Sequence, residues 1–204
     1  MTIRKGEPWG EAAQSPVDVR VVPTARDARD WVLTQQGRHQ TVLPVGLGGG
    51  DLARTLGGAT PGRFPGMVMK APIDLLRVQT DDGRSTVAVA HVVARRSWWR
   101  GEVLFAMNAQ FLGEYDIAPR SHPNDGKVDT LLVAAAMSWR DRVQAKGRAR
   151  TGTHVPHPQV TMRQATSAAF EFQRPLVVWV DGVRWGTASG LAITVEPDAL
   201  TVYA

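Results

Sequence analysis

His122-Pro123-Asn124-Asp125-Gly126-Lys127-Val128-Asp129-Thr130-Leu131-Leu132-Val133 reads as a proline-led acidic turn that opens directly into an apolar strand. An aspartate flanked by backbone carbonyls at such a turn suits a hard cation, because Mg²⁺ and Ca²⁺ prefer oxygen ligands and Gly126 lets the chain curl. The same residues also suit an Asx turn, in which Asn124 or Asp125 accepts backbone N–H groups. Asp129 falls at the mouth of the strand.

Outward from this stretch the apolar pattern keeps a period of two. It predicts strands over Met67–Lys70, Ile73–Thr80, Ser85–Ala94 and Glu102–Asn108 on one side. On the other it predicts Gln159–Arg163, Ser167–Phe172, Leu176–Val180, Leu191–Val195 and Leu200–Tyr203. Asp81-Asp82-Gly83-Arg84 and Asp181-Gly182 are hairpin turns, and Glu196-Pro197-Asp198 is expected to turn the chain into its last strand. One substantial helix is expected, capped by Ser138, with Asp141 three residues on and its end near Ala149. The fold class is therefore mainly β: a two-layer antiparallel β-sandwich over residues 61–204 with a short α/β element in front.

Residues 1–60 form that element. Val17–Val22 alternates like a strand, Thr24 and Asp27 start a helix that ends at Gly37, and Thr41–Val45 is a second strand. The strand enters Gly46-Leu47-Gly48-Gly49-Gly50, after which Asp51 is expected to cap a short helix over Leu52–Leu56. Glycines before a helix allow an anion close to free N–H groups, and equally allow a tight turn. The P-loop pattern is absent, because no Gly-Lys-Ser/Thr follows, and so is the dinucleotide glycine spacing.

Composition narrows the function classes. The chain has 204 residues, 43% of them hydrophobic, with 24 basic against 19 acidic side chains and a net charge of +5. No cysteine occurs, which excludes disulfides, thiolate metal sites and thiol nucleophiles. The polar stretch Met1–Ser15 lacks a signal-peptide core, and no apolar run reaches the ~18 residues of a membrane span. A cytoplasmic protein, peripheral to a membrane at most, is expected. His154-x-x-His157 brackets Val155-Pro156, has no H-E-x-x-H companion and does not read as zinc-binding. Trp98-Trp99 between Arg95-Arg96 and Arg100 reads either as core filling, since adjacent strand residues face opposite sides, or as a contact surface suited to self-association in a homodimer or to a lipid headgroup layer. Nucleic acid is not expected, since stacking needs a basic groove that the sequence does not indicate.

The order and separation of three motifs resemble the bacterial lipid kinases of the diacylglycerol/sphingosine kinase family, which share a superfamily with NAD kinase. These are the Pro44-to-Leu56 loop and helix, the Asn124-to-Asp129 turn, and the Val180-to-Gly182 hairpin, and the resemblance spans Thr41 to Ala204. It implies the C-terminal, substrate-side sandwich of such a kinase behind a truncated N-terminal lobe. Pro44, Gly46, Asp51, Ala53 and Arg54 resemble the family's loop beside the nucleotide, which makes Gly46, Gly48, Gly49 and Asp51 the cofactor-binding candidates. Leu47 stands in place of a threonine there and Gly50 in place of an asparagine. The resemblance also implies a structural Mg²⁺ (or Ca²⁺) at the Asp125 carboxylate, with the carbonyls of His122 and Lys127. Asp129 would join the site's polar network, and Gly152-Thr153-His154 is similar to the family's Gly-x-His loop.

Two parts of the family's chemistry are missing. No Gly-Gly-Asp-Gly-Thr occurs, and Val183 occupies the position similar to the catalytic glutamate. Valine accepts no proton and the neighbouring Arg184 is always charged. Asp181 and Asp129 are the remaining catalytic candidates. The expectation is a non-catalytic lipid-kinase-like protein that binds a lipid or small amphiphile or acts through protein contacts, with ATP binding weak or absent. The alternatives are a divergent ATP-dependent lipid kinase completed by a partner chain, and an anion- or nucleic-acid-associated binding module.

Overall fold

The computed structural model describes residues 9–38, 40–58 and 64–204, and within them thirteen strands and three helices. The expected boundary between residues 60 and 61, and the polar stretch before Trp9, lie outside these residues. The front element comprises β1 (Glu11–Gln14), β2 (Arg20–Val22), α1 (Ala25–Gly37), β3 (Val45–Leu47) and α2 (Gly50–Thr55). The rest begins with β4 (Met67–Thr80), β5 (Ser85–Ala88), β6 (His91–Arg95), β7 (Val103–Met107), β8 (Phe111–Leu112) and β9 (Tyr115–Asp116). It continues through β10 (Val128–Val133), α3 (Trp139–Ala149), β11 (Val160–Ala165), β12 (Ser167–Val180) and β13 (Val183–Tyr203).

All strands except the β8–β9 pair join one hydrogen-bonded sheet, whose main path runs β1-β4-β13-β12-β6-β7-β10-β11. Every pairing on that path is antiparallel, while β2–β3 and β3–β13 are parallel. The long strands bend where their register slips: β12 at Glu171/Leu176, and β13 at Glu196/Leu200. One core cluster consequently collects Val78 of β4, Val92 of β6, Ala106 of β7 and Ile193 of β13, as a sheet folded over into a sandwich requires. A second cluster joins Val32, Val45 and Leu52 of the front element to Ile73, Leu75 and Val202 of the sheet.

Both long helices start as their residues dictate. The Thr24 hydroxyl accepts from the Asp27 N–H at 3.3 Å, and the Ser138 hydroxyl accepts from the Asp141 N–H at 3.2 Å. The Asp181-Gly182 hairpin turn forms with φ of 47° and 81°, the left-handed pair of a tight two-residue loop.

Several expectations on the elements are corrected. Asp51 does not cap α2: Gly49 holds that position, and the Asp51 carboxylate turns away to the Gly113 N–H at 2.8 Å. The second front strand starts at Val45, because Pro44 has no N–H to give a ladder. Met67–Lys70 and Ile73–Thr80 are one strand running through Pro72, which lies past the four residues that β1 covers. Ser85–Ala94 breaks in two at Val89 and Ala90, whose N–H groups point at the Asp181 carboxylate instead of a strand. Glu196-Pro197-Asp198 does not end a strand. It is a bulge inside β13, with Asp198 at φ 53° and its N–H donated to Asp74 at 3.0 Å.

Candidate functional site

The glycine turn and the Asp181 hairpin meet in one buried knot. Asp181 accepts from the backbone N–H groups of Val89, Ala90 and His91 at 2.9, 2.8 and 3.0 Å, and donates its own N–H to the His91 carbonyl at 3.0 Å. Burial pushes its carboxyl up, while His91 and the three N–H groups pull the other way. The His91 Nε2 lies 3.1 Å from Asp51 Oδ2. From α1, the buried Arg29 donates to the Val180 carbonyl at 2.8 Å. The knot thus joins α1, α2, the β5–β6 break and the hairpin tip that carries Val183.

The glycines beside this knot are packed against the chain itself. A Cβ on Gly46 would meet Phe64 at 3.0 Å and Val21 at 3.1 Å; on Gly48 it would meet Val21 at 3.2 Å; on Gly49, the Pro23 carbonyl at 3.2 Å. The Gly48 N–H is donated to the Val22 carbonyl at 2.8 Å. These glycines therefore let strand and turn approach closely.

A second knot lies at the acidic turn. Asp74, in the middle of β4, accepts from the Gly126 N–H at 2.7 Å and the Asp198 N–H at 3.0 Å, and burial pushes its carboxyl up to about 6. Asp125 makes the Asx turn, accepting from the Lys127 N–H at 3.0 Å, with its other oxygen on Gln164 Nε2 at 2.9 Å. Burial raises Asp125 to about 6, the Lys127 N–H opposes, and the charges of Asp129 and Asp74 add to the rise. Asp129 is raised by burial as well and shares Gln164 at 3.4 Å. The His122 ring accepts from the Asn124 N–H at 3.2 Å. Among the described residues no three His, Cys, Asp or Glu side chains converge as a metal cluster. A cation here would depend on one carboxylate and backbone oxygens, and the buried Asn124 Oδ1, which has no hydrogen-bond partner, is a further oxygen donor.

Sequence reasoning missed a cavity of about 450 Å³ between α3 and the face of β7 and β10. Phe105, Leu131, Met137, Ala149 and Val160 line it, with Trp98 and Trp99 at its wall and Lys146 and His154 as polar groups. Burial holds the His154 imidazole below its usual range. Trp98 stacks on Phe105 with ring centroids 5.9 Å apart, and the Arg95 guanidinium lies 3.9 Å from its centroid. Neither tryptophan is core: both are 41% exposed. Arg142 of α3 fixes the rim, donating to the carbonyls of Met137, Trp98, Gly101 and Ala134 at 3.1, 3.4, 2.5 and 2.9 Å. Arg142 is one of three arginines on α3 and nothing local singled it out for this role, whereas Asp74 inside the apolar run Ile73-Asp74-Leu75-Leu76 was such a signal.

Comparison with known proteins agrees with this architecture. Residues 77–204 match the family model described as the YegS C-terminal NAD kinase beta sandwich-like domain. A "putative diacylglycerol kinase" from Bacillus anthracis str. Sterne is similar in structure at a TM-score of 0.55 and 11% identity, over 79% of this chain and 70% of that one. A diacylglycerol kinase structure from the same organism gives 0.53 at 13% identity, over 79% and 67%. At such identities the likeness is one of fold. No curated protein matches the sequence, and among the described residues no helix is long and apolar enough to cross a membrane.

Proposed function

Since the chain belongs to the family of YegS C-terminal NAD kinase beta sandwich-like domains, we propose that it binds a lipid or similar small amphiphile without transferring phosphate to it. The apolar cavity under α3 carries this reading. Its volume of about 450 Å³ falls in the range of small-molecule sites, which are apolar with a few placed polar groups. Lys146 and His154 are those groups here.

The absence of phosphoryl transfer is supported by the residues beside the hairpin. Val183 offers no base, and the carboxylate of Asp181 is taken up by three backbone N–H groups. Asp129 lies in the acidic knot and shares Gln164 with Asp125. A structural hard cation held by Asp125 with the carbonyls of His122 and Lys127 fits the oxygen chemistry of that turn, where it would offset clustered carboxylate charge.

Titration with dioctanoylglycerol, followed by tryptophan fluorescence, tests the reading. The wild-type protein is expected to bind, and Ala145→Trp, which fills the cavity from α3, to bind at least about tenfold more weakly with its fold retained. Equal binding by both proteins would remove the cavity as the site. Micromolar ATP binding with turnover of the same diacylglycerol would favour a divergent kinase instead.

A further inference from the structure

Trp139 and Val143 stand on the outer face of α3, 61% and 47% exposed. Lys146, three residues past Val143, continues this face of the helix, and its ammonium lies 5.6 Å from the Trp99 ring centroid. The helix face and the Trp98-Trp99 loop therefore form one surface beside the cavity. Basic groups predominate at the rim, and its acids are engaged: Glu114, near Lys146, is paired with Arg150 at 3.3 Å, and Glu102 accepts from the Gln173 N–H at 3.3 Å. The Arg140 guanidinium lies 5.8 Å from the Trp139 centroid, and Arg96 and Arg100 are exposed on the loop. The acid on this helix, Asp141, is engaged at the helix start, accepting from the Ser138 hydroxyl at 2.7 Å.

We propose that this surface docks the protein on an anionic lipid bilayer. Tryptophan rings settle at the headgroup level, where one end of the ring is apolar and the other wet. Arginine and lysine around them meet lipid phosphate and the negative surface potential. A second copy of the chain fits worse: a two-fold contact would bring together two copies of one predominantly basic rim, and like-charge juxtaposition is unfavourable. Docking also turns the cavity towards acyl chains, a consequence that rests on the amphiphile-binding reading; the surface itself does not.

Vesicle co-sedimentation tests the docking. Binding is expected to vesicles with about a third phosphatidylglycerol, to be about tenfold weaker with phosphatidylcholine alone, and to fall with added salt. The double variant Trp139→Ser, Val143→Ser should lose most of that binding. It should keep its affinity for soluble dioctanoylglycerol, because neither residue lines the cavity. Arg96→Glu with Arg100→Glu is an independent second variant and should reduce binding to the anionic vesicles only. No vesicle binding by the wild type, or vesicle binding unchanged in both variants, overturns the proposal. So does a wild-type dimer in sedimentation that becomes monomeric in the double variant, which would assign the surface to a second copy. Vesicle binding without dioctanoylglycerol binding would sink the cavity reading and leave the docking intact.

Discussion

Asp181 sits with its carboxylate turned inward onto three backbone N–H groups, so its removal leaves three donors unsatisfied in the interior. Each such group costs about 1–3 kcal/mol. Asp181→Ala is expected to lose at least about 3 kcal/mol in urea unfolding, and Asp181→Asn less, since one acceptor oxygen remains. The acidic turn makes a different prediction at the same scale. Asp74 and Asp125 are raised to about 6 from 3.8, so between those values the folded chain holds more protons than the unfolded one. Their contribution to stability therefore falls as pH rises through that window and is regained on acidification. His122 and His154, held low by burial, oppose this, because the unfolded chain protonates first. Comparison with Asp125→Asn isolates the carboxyl. In chelator-treated protein, the melting temperature of wild type relative to the variant should rise from about pH 7.5 to about pH 5. A flat difference would show that Asp125 titrates as an ordinary surface acid.

At the scale of elements, α3 and the loop between β6 and β7 are joined through Arg142, whose guanidinium reaches four carbonyls. Arg142→Met should cost about 2–4 kcal/mol, because hydrogen bonds to charged groups are among the stronger ones. It should also weaken dioctanoylglycerol binding by loosening the cavity wall at Trp98. Unchanged stability would mean that the loop is held by the Trp98–Phe105 stack alone. These elements were only partly legible in the sequence. The Thr24 and Ser138 caps and the Asp181-Gly182 turn were readable because each depends on neighbours within a few residues. The break at Val89-Ala90 and the bulge at Glu196–Asp198 were not, since their causes, Asp181 and Asp74, lie far away along the chain. The cavity was invisible for the same reason: its wall draws on β7, β10, β11 and α3, and no local pattern marks their meeting.

For the molecule as a whole, the front element and the sandwich share both hydrogen bonds and core. Val45 pairs with Val202, and Val32, Leu52, Leu75 and Val202 lie in one cluster. A common core of this kind predicts one cooperative transition. Thermal melts followed by far-ultraviolet dichroism and by tryptophan fluorescence should coincide. Two separated transitions would show that residues 1–60 and 61–204 fold as independent units. Deleting residues 1–60 should strip cover from Ile73, Leu75 and Leu200 and yield a chain that aggregates.

The packing at the hairpin tip has a consequence for how such a chain drifts. At position 181 a change breaks the β5–β6 break and the hairpin together, so the fold itself resists it. Position 183, half-buried and outside the knot of hydrogen bonds, is under no such restraint. A protein of this shape can surrender the residue that follows an Asp-Gly pair while keeping the pair. In a saturation-mutagenesis screen scored on folding alone, nearly every substitution at 181 should be depleted and most at 183 retained.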